Sequence, residues 1–174
     1  EVMQVLAESG LNCPLPVTAR DGSILQELQG RPCAIFTFLD GTWSRFPNRE
    51  KCAELGRTLA TMHLNCAPVK LRRPNALGPA AWQPLLDSIG PQADIVGDGM
   101  HDAIRQRLDS ILAAWPTDLP SGVIHADLFP NNVLFIGDRL TGVIDFYFAC
   151  DDIFAYDLGI CLLYTSDAAD EAEC

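Results

Sequence analysis

The sequence predicts an α+β fold. Apolar residues recur at helical spacing in two long segments, 48–64 and 104–115, and short runs of β-forming residues lie before and after these segments. The predicted strands occur in pairs around turn residues and do not alternate with helices. This arrangement favours an α+β fold over a doubly wound sheet.

The composition indicates a globular chain with an excess of negative charge. Its 174 residues include 23 acidic and 12 basic side chains, which gives a net charge of −11, and 48% of the residues are apolar. Because the basic residues are scattered and outnumbered, we expect no nucleic-acid partner. No run of uncharged apolar residues approaches the ~18 that a membrane-spanning helix requires, so we expect no membrane partner.

The seven cysteines indicate structural thiols. Their spacing matches neither a zinc site nor a disulfide framework, and several lie in apolar stretches. An odd number of cysteines in such surroundings is typical of reduced thiols in a cytoplasmic protein.

The first forty residues predict one helix and three strands. A helix covers residues 1–8. Asp21-Gly22 favours a tight turn between antiparallel strands over 17–20 and 23–26. Residues 33–39 form a continuous apolar run, which is typical of a buried strand.

The middle of the chain predicts two helices separated by loops. Asn48 is a favourable N-cap for a helix that runs to about Leu64. Residues 65–99 are rich in Pro and Gly, which favours loops with short helical pieces. The second helix, over 104–115, ends before Pro116 because proline cannot continue the hydrogen-bond ladder.

Short strands are predicted again from Gly122 onward. They cover residues 123–124, 133–136 and 141–144, and residues 137–140 connect the last two as a hairpin.

This hairpin is expected to bring Asn132 and Asp145 together. If the chain turns between Asp138 and Arg139, Asn132 lies directly across from Asp145. A two-residue loop, Gly137-Asp138, would make them diagonal neighbours, and a three-residue loop would place them on opposite faces. An amide oxygen beside a carboxylate suits Mg²⁺, which binds few protein oxygens and relies on substrate phosphates, so the pair implies a nucleotide.

Asp127 is the candidate catalytic base. It lies five residues before Asn132, on the loop that enters the hairpin, and can face a substrate hydroxyl at the same ion-bearing site. There it would accept the hydroxyl proton or orient the hydroxyl for attack on a γ-phosphoryl group. His125 is expected to be a structural residue that fixes the backbone of this loop.

These motifs resemble a known family. The pattern His-x-Asp-x-x-x-x-Asn at 125–132, followed by Ile-Asp-Phe at 144–146, resembles the catalytic and metal-binding loops of protein-kinase-like phosphotransferases. Together with Tyr-Asp-Leu at 156–158, it is most similar to the homoserine kinases of the aminoglycoside phosphotransferase and choline kinase family. Residues 38–41 resemble the hinge of that family, and residues 54–63 resemble its first large-lobe helix.

The resemblance implies a protein-kinase-like phosphotransferase fold, with an incomplete small lobe and a mainly helical large lobe that carries a catalytic β-hairpin. Residues 1–40 would be a remnant of the N-terminal lobe and hinge, and 41–160 the C-terminal catalytic lobe. Residues 161–174 resemble a translated sequencing adapter, so we expect a non-native tail, with an ordinary acidic tail as the alternative. The family's glycine-rich loop and phosphate-binding lysine are not found here, so we expect the chain to be inactive by itself.

The resemblance also assigns roles to single residues. Asp127 would be the catalytic base, Asn132 and Asp145 would bind Mg²⁺, and Asp157 would be a buried anchor of the catalytic loop, with a helix cap as the alternative. The backbone of the hinge would contact the adenine of ATP at Thr37, Phe38 and Leu39. Residues just past the metal ligand would line the acceptor pocket, a solvated acidic turn being the alternative for the last two: Tyr147, Phe148, Asp151 and Asp152.

The implied activity is ATP-dependent phosphorylation of the side-chain hydroxyl of L-homoserine, which yields O-phospho-L-homoserine for threonine biosynthesis. ATP, Mg²⁺ and L-homoserine would be the ligands. Two alternatives stay open: an aminoglycoside, choline or another alcohol as the acceptor, or a pseudokinase that binds a nucleotide without turnover. A polycationic aminoglycoside needs an extended acidic groove, whereas homoserine needs a small site with one anionic and one cationic partner.

Overall fold

The chain divides into two compact units. The structure is a computed structural model that describes residues 1–71 and 73–170, with side chains described as far as residue 163. The first unit consists of Glu1–Arg73 and Pro120–Cys174 and mixes helices with strands. The second unit, Pro74–Leu119, is helical.

The first unit begins with a helix and a small hairpin. Helix α1 covers Val2–Glu8, as predicted, and strands β1 (Gln26–Leu28) and β2 (Arg31–Cys33) pair around Gln29-Gly30. The predicted strands over 17–20 and 23–26 are wrong. Gln29 and Gly30 both have positive φ, 53° and 74°, which is the turn geometry that matches the twist of paired strands.

Residues 33–39 do not form the predicted buried strand. The segment runs along the surface, where Thr37 N donates to Leu15 O at 2.9 Å and the side chain of Phe38 is 89% exposed. An apolar run predicts a buried strand only if another element covers it. Cys33 ends β2 and pairs with Gln26, but among the described residues no strand pairs with the rest of the segment beyond an isolated bridge between Pro16 and Phe36.

Helix α2 covers Arg49–Asn65 and confirms the predicted N-cap. The side-chain oxygen of Asn48 accepts a hydrogen bond from Lys51 N at 2.9 Å. Leu59 and Met62 point into the core from this helix. The signals for α2 are local in sequence, since a cap and an apolar stripe suffice to define it.

The second unit contains two helices joined by a 3₁₀ turn, Gly90–Ile95. Helix α3 covers Pro79–Ile89 and helix α4 covers Met100–Ala114. Helix α4 ends before Pro116, as predicted. The prediction of loops with short helical pieces is wrong for α3, an eleven-residue helix that begins at Pro79 and contains Pro84. Proline is favourable in a first helical turn, so Pro79 is a start signal and not a breaker.

The remaining elements of the first unit carry the candidate site. Strands β3 (Ser121–Ile124) and β6 (Cys150–Ile153) pair antiparallel, as do β4 (Val133–Ile136) and β5 (Arg139–Val143), and helix α5 covers Phe154–Asp170. Strand β6 was not predicted because its sequence, Cys-Asp-Asp-Ile, has neither apolar alternation nor strong β-formers.

The main core packs α1 and α2 against the β4–β5 hairpin. Its buried side chains are Val2, Leu6, Leu11, Cys13, Leu59, Met62, Cys66, Val123, Leu128, Val133, Phe135 and Val143. The cysteines among the described residues are free, and burial raises the pKa of the Cys13 and Cys66 thiols to about 11. These thiols act as small core hydrophobes. No helix within the described part of the chain is both long and apolar enough to cross a membrane.

Candidate active site

Asp127 and Asn132 are in direct contact. Asp127 lies on the loop between β3 and β4, and Asn132 ends the 3₁₀ turn that precedes β4. The Asn132 Nδ2 group donates to Asp127 O at 2.7 Å and to Asp127 Oδ2 at 3.0 Å. Because the amide nitrogen is used in this way, Asn132 presents its amide oxygen as the remaining acceptor, and it holds the carboxylate of Asp127 in one orientation.

The hairpin register differs from the predicted direct pairing. Ile136 pairs with Arg139, so the loop is Gly137-Asp138, the second of the alternatives above. A β-bulge at Thr141 then shifts the pairing by one residue, to the register that a three-residue loop would give, and Asn132 opposes Ile144, whose N–H donates to Asn132 O at 2.9 Å. Strand alternation in that register would place Asn132 and Asp145 on opposite faces, but it does not apply to them, because Asn132 lies in a 3₁₀ turn and Asp145 has φ 64°. The prediction that Asn132 lies directly across from Asp145 is therefore wrong, since a bulge cannot be read from apolar alternation.

Asp145 nevertheless adjoins the residue that pairs with Asn132. It directly follows Ile144, which is hydrogen-bonded to Asn132, and its carboxylate accepts from Tyr147 N at 3.4 Å. Asp145 is exposed and has φ 64°, and Ala126 beside the candidate base has φ 63°. Left-handed backbone at a non-glycine residue costs about 1–3 kcal/mol and is typical of functional sites.

His125 connects the loops that carry Asp127 and Asp145. Its ring is fully buried, its Nε2–H donates to Ile144 O at 2.9 Å, and it packs on Phe146 with ring centroids 4.6 Å apart. Burial lowers the pKa of His125, so the imidazole is neutral and the Nε2 tautomer is fixed by the carbonyl. Its Nδ1 atom has no hydrogen-bond partner among the described residues.

Asp157 joins helix α5 to the backbone of the catalytic loop. It is fully buried, and its carboxylate accepts from His125 N at 2.9 Å and from Ala126 N at 2.8 Å. His63, on α2, lies 2.9 Å from the same carboxylate and stacks on Phe154. No role for His63 was predicted from the sequence, because its partner lies 94 residues away.

The hinge segment forms one wall of a cavity of about 530 Å³. Phe36, Thr37, Phe38 and Leu39 line this wall, and Asp145–Tyr147 line the opposite side. The size is in the range of small-molecule sites. Thr37 N already donates to Leu15 O, so of the predicted adenine contacts the carbonyl of Thr37 and the backbone of Phe38 and Leu39 can serve a ligand.

The predicted acceptor-pocket residues separate into two groups. Tyr147 is 71% exposed and lines the cavity, whereas Phe148 packs against a small apolar cluster that includes Ile124 and Cys150. Asp151 and Asp152 lie on β6. The carboxylate of Asp151 accepts from Arg73 N at 3.2 Å, and that of Asp152 accepts from Ile153 N at 2.7 Å.

Arg73 is a residue of this site that the sequence did not indicate. Its Nη1 group donates to Tyr147 O at 2.7 Å, and its guanidinium lies 5.8 Å from the centroid of the Tyr147 ring. Arg73 lies in a stretch between α2 and α3 that has no periodic pattern. The only available sequence signal was indirect, namely that an acidic segment favours a nearby cation.

The donor set suits a magnesium-bound nucleotide. Asn132 offers an amide oxygen and Asp145 a carboxylate. Both are hard oxygen ligands, and Mg²⁺ needs few of these from the protein because it takes its other ligands from water and phosphates. In the described part of the chain, no group of three or more His, Cys, Asp and Glu side chains could hold a metal ion. The described residues therefore do not form a metal site built wholly from such side chains.

Comparison with known sequences gives close relatives. The chain is 53% identical over 161 residues to homoserine kinase of Rhizobium etli and 54% identical over 162 residues to that of Bradyrhizobium diazoefficiens. Each alignment covers 92% of this chain and 50% of the relative. The chain thus spans about half the length of the curated relatives it matches.

Comparison with solved structures confirms the predicted fold. Amicoumacin kinase in complex with AMP-PNP, Ca²⁺ and amicoumacin matches with a TM-score of 0.73 at 18% identity, covering 92% of this chain and 50% of that one. A spectinomycin phosphotransferase in complex with ADP and spectinomycin matches with a TM-score of 0.68 at 18% identity, covering 90% and 54%. The fold is that of an incomplete protein-kinase-like domain. Residues 1–173 match the model of the phosphotransferase enzyme family, so the chain that carries Asp127, Asn132 and Asp145 belongs to that family.

Proposed function

We propose that this chain is the catalytic part of a cytoplasmic homoserine kinase, which transfers the γ-phosphoryl group of ATP to the side-chain hydroxyl of L-homoserine. The product would be O-phospho-L-homoserine, for threonine biosynthesis. The identity of 53% to the Rhizobium etli homoserine kinase supports the acceptor. The observation that carries the chemistry is the pair of hydrogen bonds from Asn132 to Asp127.

Each of the site residues would have a distinct role in the reaction. Asp127 accepts the proton of the substrate hydroxyl, and Asn132 holds the Asp127 carboxylate in the orientation for that transfer. Asn132 and Asp145 would hold Mg²⁺ through side-chain oxygens, and the hinge backbone at Thr37, Phe38 and Leu39 would hold the adenine. When bound, magnesium-ATP supplies the phosphoryl group and neutralises its charge.

Neutral His125 and buried Asp157 keep this arrangement rigid. His125 bonds the loop of Asp127 to the strand end that leads to Asp145, and Asp157 fixes the loop backbone by two charge-assisted hydrogen bonds. Positioning of this kind accounts for much of the rate in phosphoryl transfer, since the protein does little covalent chemistry.

The same proposal covers the organisation of the chain. Residues 1–40 correspond to the end of the N-terminal lobe and the hinge, 41–160 to the C-terminal catalytic lobe, and 161–174 to an adapter-derived tail. Because the relatives are about twice as long, we propose that the chain by itself transfers phosphate at a negligible rate.

The test is a chimaera in which residues 1–160 replace the matching segment of the Rhizobium etli homoserine kinase. Initial rates of ADP formation are measured with L-homoserine, choline and an aminoglycoside as acceptors, and the intact Rhizobium etli enzyme is the positive control. We expect rates with L-homoserine within about tenfold of the control and at least about a hundredfold above those with the other acceptors.

Two results would contradict the proposal. A chimaera that is folded by circular dichroism and binds magnesium-ATP, yet transfers phosphate to no acceptor, would indicate a pseudokinase. A preference for the aminoglycoside or for choline would keep the chemistry and exclude homoserine as the acceptor.

A further inference from the structure

Arg73 contacts Tyr147, which lines the cavity, and its guanidinium has no ion-pair partner among the described side chains. Among the described side chains, no carboxylate lies within ion-pair distance of the guanidinium of Arg73, although Asp151 is a neighbour in space. Its Nη1 group donates to a neutral carbonyl, Tyr147 O, at 2.7 Å. A guanidinium has five N–H donors, so this bond leaves donors for a ligand.

Two hydrogen bonds of its backbone fix the position of Arg73. Asp151 N donates to Arg73 O at 2.7 Å, and Arg73 N donates to the carboxylate of Asp151 at 3.2 Å. This reciprocal pair ties the loop before the second unit to strand β6. The side chain of Arg73 is further held over the ring of Tyr147, with 5.8 Å to the centroid. Stacking on an aromatic ring restricts the plane of a guanidinium and leaves its edge available.

The contact with Tyr147 places this cation next to the candidate reaction centre. Tyr147 is two residues past Asp145, its N–H donates to the Asp145 carboxylate, and both residues line the cavity that the hinge closes on the other side. A group bound to Arg73 therefore lies next to the segment proposed to hold the metal.

The chemistry of homoserine favours a cation close to the reacting hydroxyl. Three carbon atoms separate its hydroxyl oxygen from its carboxylate, so the carboxylate must be recognised close to the hydroxyl that reacts. Arg is the side chain that best matches a carboxylate, since two parallel N–H groups meet its two oxygens. A cationic acceptor, such as choline or an aminoglycoside, would be repelled by the same guanidinium.

Resting on the function proposed above, we infer that Arg73 is a specificity-determining residue that binds the α-carboxylate of the acceptor, with Tyr147 and Asp151 as its positioning residues. The inference assigns the anionic half of an amino-acid substrate to a residue outside the phosphoryl-transfer motifs. It also gives a structural reason for an acceptor that carries a carboxylate, in a chain whose fold is shared with antibiotic kinases.

The test compares Arg73→Met and Arg73→Lys in the active chimaera, with L-homoserine and L-homoserinamide as acceptors. The amide keeps the hydroxyl and the ammonium group but has no carboxylate charge. We expect Arg73→Met to raise the KM for L-homoserine by about a hundredfold, to change the KM for the amide by less than about threefold, and to leave the KM for ATP unchanged. The KM of Arg73→Lys for L-homoserine should lie between those of the parent and Arg73→Met, because a lysine keeps the positive charge but lacks the two parallel N–H groups of an arginine.

Arg31, an exposed arginine on β2, provides the matched control, and Arg31→Met should change neither KM. An unchanged KM for L-homoserine in Arg73→Met would overturn the inference. Equal losses with both acceptors would also overturn it, since they would show a merely structural role. A parent chimaera that does not phosphorylate L-homoserine would instead refute the proposed function, so the two failures are distinguishable.

Discussion

At the scale of single residues, the site depends on buried polar groups that satisfy each other. Asp157 is fully buried and accepts hydrogen bonds from two backbone N–H groups, those of His125 and Ala126. A carboxylate that stabilises an otherwise strained loop in this way cannot be removed without leaving buried donors unpaired.

Asp157→Ala should therefore lower the free energy of unfolding by about 3 kcal/mol, because two buried N–H groups lose a charged acceptor. Urea denaturation followed by circular dichroism measures this change in the purified chain. Asp109→Ala, an exposed aspartate on α4, is the control and should change the free energy of unfolding by less than about 0.5 kcal/mol. A loss below about 1 kcal/mol for Asp157→Ala would show that these bonds do not hold the loop.

His125 makes the stability depend on pH. Burial lowers its pKa in the folded chain, whereas in the unfolded chain the pKa returns to its ordinary value of about 6.5. As the pH falls below about 6.5, the unfolded state binds a proton that the folded state does not, so the free energy of unfolding decreases by up to about 1.4 kcal/mol per pH unit. Above that pH the contribution is constant.

The measurement is the free energy of unfolding at about pH 7.5 and about pH 5.5, for the parent chain and for His125→Gln. We expect the parent to lose about 1 kcal/mol more than the variant over this interval. Equal losses in the two proteins would mean that folding does not lower the pKa of His125.

Residue-scale predictions from sequence were accurate where partners are close in the chain. Asp127 and Asn132 are five residues apart, and the structure joins them directly. His63 with Asp157 and Arg73 with Tyr147 are contacts between residues 94 and 74 positions apart. No local pattern encodes such contacts, because they depend on how whole elements pack.

At the scale of elements, local signals again decide what the sequence could predict. Helix α2 was predicted with its cap because Asn48 and the apolar stripe are local, and strand β4 was predicted because it is a run of β-formers. Strand β6 and the exposed path of residues 33–39 depend on partners elsewhere in the fold. The bulge at Thr141 is a further case, since its hydroxyl donates to Asp40 O, 101 residues away.

The N-cap of α2 provides the test at this scale. Asn48→Ala should lower the free energy of unfolding by about 1 kcal/mol, because Lys51 N loses its acceptor, and the bond from Asn48 Nδ2 to Asp138 is lost as well. Asn48→Ser is the matched control, since a serine can still cap the helix, and it should retain most of the stability. Equal effects of the two substitutions in thermal or urea unfolding would assign the loss to the Asp138 contact.

At the scale of the whole molecule, all the candidate site residues belong to the first unit. The hinge wall, the catalytic loop, the β4–β5 hairpin, Arg73 and Asp157 come from segments on both sides of the helical second unit in the sequence. The sequence predicted the fold class and the phosphotransferase motifs, whereas the boundaries of this unit follow from contacts between distant segments and could not be predicted.

The most direct test of the central claim is the kcat of the Asp127→Asn chimaera for phosphoryl transfer from ATP to L-homoserine. The substitution keeps the size of the side chain and removes the proton acceptor, so kcat should fall by about a thousandfold while the KM for ATP stays within about twofold. Asp109→Asn is the control and should retain the parent kcat. An undiminished kcat in Asp127→Asn would contradict the assignment of Asp127 as the base and, with it, the proposed reaction centre.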